Sequence, residues 1–272
     1  MKTYKQLFSE LDRAALIPFF VIGDPDFDTS LAIVKTAIDA GADVLELGIP
    51  FSDPIADGQT IQKADIRSRK AGMNVRKALE FIRKVKDYKD IPVGLLMYYN
   101  LVYQYGPEKF FTDFHQVGVN SVLIADLSID DADEIIGPAK SAGLDTVFMV
   151  TPNTSLKRMK LIASKTTGFI YTVSVLGVTG SREKLSGAVE ELVGKLKKNC
   201  PDVPICVGFG ISKAEHAAAV AAAGADGVII GSRIVRLIEE NLTDKTKMLS
   251  EVSRFIGEVK NAIEHQNGRS TD

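Results

Sequence analysis

Short apolar runs alternate along this chain with longer stretches in which apolar residues recur every three or four positions. A short amphipathic helix is expected at 4–10, and AALIPFFVIGD then supplies a strand at 17–22. From Asp26 to Ala40, Leu31, Ile33, Val34 and Ile38 fall at helical spacing, and Gly41 stops the helix. DVLELG gives a second strand, followed after a loop by a helix at 59–70. Gly72 breaks that helix and Asn74 caps another reaching Lys86. IPVGLLMYY is the third strand, with a helix at 107–117. Strands at 120–126, 145–151 and 168–175 follow, with helices at 131–141, 155–165 and 187–198. VPICVGFG, the helix SKAEHAAAVAAAG, the strand DGVIIGS, a short helix after Ser232 and a long amphipathic helix at 245–264 complete the pattern.

The sum is eight apolar strands, each followed by a helix. A weak repeat supports it: AGADVLEL, VGVNSVLI, AGLDTVFM and AGADGVII each end a helix in Gly (Gly41, Gly118, Gly143, Gly224) and start a strand almost at once. Strands with little polar alternation are buried on both faces, which implies a parallel sheet under helices. Eight such units in 272 residues match a single-domain (β/α)8 TIM barrel, with an extra N-terminal helix and extra helices in the second and eighth units. A doubly wound open sheet is the competing architecture, but no GxGxxG follows the first strand. No linker-like change of composition divides the chain, so one catalytic domain is expected over 1–265, with 266–272 a frayed tail.

Composition narrows the partners. A net charge of -2 gives no reason to expect nucleic acid or an anionic membrane surface. No apolar run approaches the roughly 18 residues of a membrane span, and MKTYKQLFSE lacks a signal pattern. Cys200 and Cys206 fit no common zinc spacing and suit a reducing cytoplasm.

In a barrel, chemistry belongs where strands end. Those ends offer Asp24; Glu46 with Asp53 and Asp57; Tyr98 and Asn100; Asp126; Thr151; Ser174; Gly208 to Gly210; and Gly231 with Ser232. None is a Lys, so a Schiff base has no nucleophile, and no His stands there to ligate a metal. Carboxylates remain: Glu46 inside an apolar strand, Asp53 and Asp57 in the loop after it. An N-capping Asp on a solvated loop explains the same residues taken alone. GVTG (177–180), VGFGIS (207–212) and IIGSR (229–233) are glycine turns in the last units, where barrels bind phosphate. Any one of them could be a simple tight turn; together they point to a small phosphate ester. Phe19, Ile61, Leu96, Tyr98, Ile124 and Phe209 either line an apolar slot or fill the barrel.

ELGIPFSDPIADGQTIQKA, PVGLLMYYN, FIYTVSVLGVTG, VGFGIS and IIGS occur here in the order seen in the tryptophan synthase alpha subunit family, which the chain resembles over nearly its whole length. The resemblance implies a lyase: retro-aldol cleavage of indole-3-glycerol phosphate to indole and glyceraldehyde 3-phosphate, in the last steps of L-tryptophan biosynthesis. It makes Glu46 the main acid/base and Asp57 the acceptor of the indole N–H. Tyr171 would stand near Glu46, Phe19 and Leu96 in the indole pocket, and Gly180, Gly210, Gly231 and Ser232 at the phosphate. Pro50 and Asp53 would serve the loop or the partner interface, with loops 50–58 and 177–187 closing on substrate. The implied partner is a beta subunit in an alpha2beta2 complex; pyridoxal phosphate is expected only there, and the alpha chain needs no cofactor and no metal. Gln59 stands where Pro is common, and Val21 where Thr is frequent; neither removes a reacting group. Two alternatives share these residues: a free-standing lyase releasing indole, and a non-catalytic barrel that only activates its partner.

Overall fold

The computed structural model describes residues 3–173, 182–208 and 210–267. Its strands are β1 (Ala15–Val21), β2 (Leu45–Gly48), β3 (Val93–Met97), β4 (Ser121–Ile124), β5 (Asp145–Thr146), β6 (Phe148–Val150), β7 (Ile170–Val173), β8 (Ile205–Gly208) and β9 (Gly227–Ile230). All pairings are parallel, in the order β5-β4-β3-β2-β1-β9-β8-β7-β6. The two ends of that order are halves of one stave. The strand expected at 145–151 is interrupted at Val147: β5 pairs with β4, whereas β6 pairs with β7. The ring therefore closes through the chain itself, and the architecture is the eight-stave barrel that the pattern implies.

The helices are α1 (Tyr4–Glu10), α2 (Phe27–Asp39), α3 (Gln59–Lys70), α4 (Val75–Tyr88), α5 (Tyr99–Tyr105), α6 (Pro107–Gln116), α7 (Asp133–Ala142), α8 (Leu156–Lys165), α9 (Arg182–Asn199), α10 (Ala214–Ala222), α11 (Ser232–Glu240) and α12 (Lys245–Asn267). The cap read at Asn74 holds, accepting from Lys77 N, and Asp26, where the sequence pattern starts its helix, caps α2 in the same way by accepting from Thr29 N. The extra helices of the second and eighth units are α4 and α12. A further one, α5, stands where the sequence pattern shows only the end of a strand.

Side-chain parity divides the barrel. Leu16, Phe20, Leu45, Leu47, Val122 and Val207 face the helices in the outer core. Ala15, Ile17, Leu123, Tyr171, Cys206 and Ile229 point inward, with Tyr4 and Leu7 of α1 beneath them. Tyr4 plugs the bottom: its ring meets Phe169 edge-on at 5.4 Å, and its hydroxyl bonds Ser121 Oγ at 2.9 Å. Gly94 makes that possible, since a Cβ there would stand 2.9 Å from both hydroxyl oxygens.

The repeat also has a physical basis at the bottom of the barrel. Asp43 N donates to Leu16 O while Leu16 N donates to the Asp43 carboxylate, at 2.9 and 2.8 Å. Asn120 makes the same two-way latch with Val93, and Asp226 with Ile205. Each fastens the start of one strand to the start of its neighbour, satisfying amides that would otherwise be orphaned. The fourth copy, Asp145, keeps the main-chain half, donating to Asn120 O at 2.8 Å. Asp43 additionally holds Arg13 and Lys260, tying α12 to the barrel floor.

Candidate active site

Glu46 leaves the middle of β2 inward, in register with Phe19 of β1 and Gly94 of β3. Only 5% of it is exposed. Burial pushes its carboxyl up from 4.5 to about 8, and its Oε2 has no hydrogen-bond partner among the described residues. Tyr171 of β7 is also buried, and burial, reinforced by the acidic groups around it, raises its pKa and keeps its phenol protonated. Gly208 of β8 leaves room for that ring: a Cβ would stand 2.5 Å from the Tyr171 hydroxyl.

Phe19 lies across the mouth between β2 and the turn before α11. A Cβ at Gly48 would stand 2.8 Å from its ring, and one at Gly231 3.1 Å away. Ile61 of α3, Val21 and Val235 of α11 pack around it, with Leu96 alongside. The phosphate candidates stand at the same mouth. Gly210 follows β8 with φ +77°, and Gly231 caps α11, whose first residue Ser232 is exposed. The first N–H groups of α11 point out of the helix, the arrangement that holds an anion. Arg233 turns instead along α11 towards Glu240 and over Phe255.

Asp57 is set by a compact loop. Tyr98, at the end of β3, donates its hydroxyl to Asp57 Oδ2 at 2.7 Å and accepts Ala56 N–H at 3.0 Å. Gln62 donates to Asp57 O. Burial raises the Asp57 carboxyl, and the Tyr98 hydrogen bond opposes the rise. Pro50 is buried at the start of this loop, while Asp53 is exposed.

Several candidates fall elsewhere. Ile124 packs in the outer core, because strand parity turns Leu123 inward in its place. Asp24 is buried and held by Arg67 through two bonds, at 2.7 and 2.9 Å. Asp126 accepts Tyr99 N at the start of α5, and Thr151 bonds Thr154. These three are occupied structurally. Gly180 with the turn at 177–180, Ser174 and Phe209 lie outside the described residues.

The residue pattern alone left two supports unseen. His216 of α10 bonds Gly210 O at 3.2 Å and so braces the turn after β8. Asp65 is buried on α3 beside the Asp57 loop. The second was visible in principle: Ile61, Ala64, Asp65 and Ser68 form the buried face of α3 at i, i+3, i+4, i+7, and a carboxyl in such a stripe is unusual.

Comparison with known proteins agrees with this geometry. The family model described as "Tryptophan synthase alpha chain" matches residues 6–264. A tryptophan synthase alpha chain of Methanothermobacter thermautotrophicus is 44% identical over 260 residues, covering 96% of each chain. One from Helicobacter pylori is 40% identical, covering 93% of this chain and 98% of its own. A structure of the tryptophan synthase a2b2 complex from Pyrococcus furiosus superposes with a TM-score of 0.85 at 36% identity, covering 92% of this chain and 98% of that one.

Proposed function

The chain belongs to the tryptophan synthase alpha chain family, and we propose on that premise that its barrel mouth cleaves indole-3-glycerol phosphate with Glu46 and Asp57 as the working carboxylates. The reaction is a carbon–carbon lyase step yielding indole and glyceraldehyde 3-phosphate for L-tryptophan synthesis. The phosphate sits on Gly210, Gly231, Ser232 and the α11 amides; Gly180, which lies outside the described residues, is added by the family resemblance. The indole lies against Phe19, Leu96, Ile61 and Tyr98, near Tyr171.

Glu46 starts protonated, in keeping with the rise of its carboxyl on burial. It gives that proton to indole C3, leaving a cationic ring. Asp57, ionised, accepts the ring N–H and stabilises the positive charge as it develops. The Glu46 carboxylate then takes the proton of the hydroxyl on the carbon bonded to C3. The C–C bond breaks, its electrons return to the ring, and the hydroxyl carbon leaves as the aldehyde. One group thus acts as acid and then base, which suits a pKa close to the working pH.

The observation that carries this reading is an inward-facing, buried Glu46 with an oxygen unpartnered among the described residues, in a barrel whose α11 N-terminus is suited to phosphate. It is tested by indole release from purified protein. Glu46→Gln is expected to abolish the signal, and unchanged release would overturn the assignment.

The indole ring and two carboxylates supply all the acid–base chemistry, so the chain uses no cofactor or metal of its own. A beta subunit carrying pyridoxal phosphate takes up the indole, in an alpha2beta2 assembly. The exposed loop supports that partner: Ile55 is 84% exposed between Pro50, Asp53 and Asp57, an apolar side chain that a protein surface would cover. Two free, buried cysteines fit a cytoplasmic enzyme. The catalytic domain is taken as residues 1–265; α12 runs past that boundary to Asn267, so the tail expected from 266 starts no earlier than 268, and 268–272 lie outside the described residues.

A further inference from the structure

Gly210, in the turn after β8, is exposed and holds φ +77°. Without a Cβ, its main chain is fixed only by what it touches. His216 meets it from α10. The imidazole Nδ1 lies 3.2 Å from Gly210 O and 3.4 Å from Ser212 N. One nitrogen cannot make both bonds at once. Carrying its hydrogen it donates to the Gly210 carbonyl; without it, it accepts the Ser212 N–H. Either tautomer pins the turn to α10, and the shorter distance is the one to the carbonyl.

Helix capping explains only part of this contact. His216 is the third residue of α10, a position from which side chains reach back to an amide before the helix, as the contact with Ser212 does. Capping satisfies N–H groups, whereas a bond to the carbonyl of Gly210 serves the turn and not the helix. The support is firm: Ala217 and Val220 of α10 are buried, and the helix packs along α12. We propose that His216 is a positioning residue for the substrate phosphate, holding the Gly210 main chain in the shape that receives the anion. This rests on the phosphate placement given above. A turn ordered in advance does not have to be ordered on binding, so the brace acts on affinity rather than on the chemical step.

The test is steady-state indole release by the full chain with its beta partner, joined to titrations of the full chain with inorganic phosphate and with indole. His216→Ala removes the bond. KM for indole-3-glycerol phosphate and the Kd for inorganic phosphate are both expected to rise about threefold to tenfold, the scale of one neutral hydrogen bond. kcat and the Kd for indole are expected to stay within about twofold, since Glu46 and Asp57 stand on other elements. His216→Asn puts an amide where Nδ1 stands and is expected to recover most of the loss. A folded His216→Ala with wild-type KM and phosphate affinity would overturn the brace. So would an equal loss of indole affinity, the mark of general loosening, or His216→Asn behaving like His216→Ala. Should the alanine variant fail to fold, His216→Leu keeps the bulk without a hydrogen to donate and supplies the same comparison. The wild type separates the two ideas: no binding of inorganic phosphate there would sink the phosphate placement itself, whereas binding unaffected by His216→Ala would sink only the brace.

Discussion

Glu46 is expected to destabilise the protein that depends on it, and the size of the effect follows from its burial. Its carboxyl titrates at about 8 in the folded chain against 4.5 ordinarily. Between those values the native state holds a proton that the unfolded chain has released, so stability falls as pH rises through the window and is unaffected below it. At about 1.4 kcal/mol per pH unit, the cost grows by about 3 kcal/mol from pH 5 to pH 8. Glu46→Gln removes the titration. The amide brings a constant offset through its own unpaired N–H, but no pH dependence. The melting temperature of the variant minus that of the wild type is therefore expected to climb by roughly 6–12 °C over that range, at about 2–4 °C per kcal/mol for a domain of this size. Thermal melts of both proteins at matched ionic strength, without phosphate in the buffer, give the difference directly. A gap constant to within about 2 °C would refute the raised pKa, and with it the idea that Glu46 enters the reaction protonated.

Other substitutions probe the surrounding contacts. Tyr98→Phe removes the hydrogen bond that opposes the rise of the Asp57 pKa, so the acid limb of the kcat profile is expected to move to higher pH, with a rate loss of about tenfold; an unmoved limb would count against Tyr98 as the partner. Asp43→Asn leaves Arg13 and Lys260 without their shared charge, at a cost of about 3 kcal/mol in denaturant unfolding and little change in kcat. Because Asp43 titrates below its ordinary value, its contribution is present above the ordinary carboxylate range and fades as pH drops through the lowered folded value. Gly208→Ala drives a methyl into the Tyr171 ring, and is expected to cost about 1–3 kcal/mol together with a fall in kcat seen in the indole assay.

The sequence made the barrel legible because buried staves and amphipathic helices differ in period, and because Asn74 stands at a helix start that the structure keeps. The helix 59–70 matches α3 at both ends. It did not show α5: in MYYNLVYQY the β-forming tyrosines prolong the appearance of a strand, while the chain turns at Tyr98 to place that hydroxyl over Asp57. Nor did it show the break at Val147, since a change of pairing partner leaves the apolar pattern untouched. Glu46 stood out as a charge in an apolar run. Asp65 did not, because one more charged residue in QTIQKADIRSRK looks like solvent-facing decoration until the helix is rolled onto its buried side.

The paired latches of Asp43, Asn120 and Asp226 act like the hoop at the base of a cask. They bind stave to stave at the end away from the reacting groups, in bonds made by the short turns that enter the strands and by no loop of the rim. The rim carrying Glu46, Asp57 and Ser232 is thereby relieved of holding the ring shut. Loops there can lengthen, shorten or change residue without opening the barrel, so substrate choice and partner choice can drift while the vessel keeps its form.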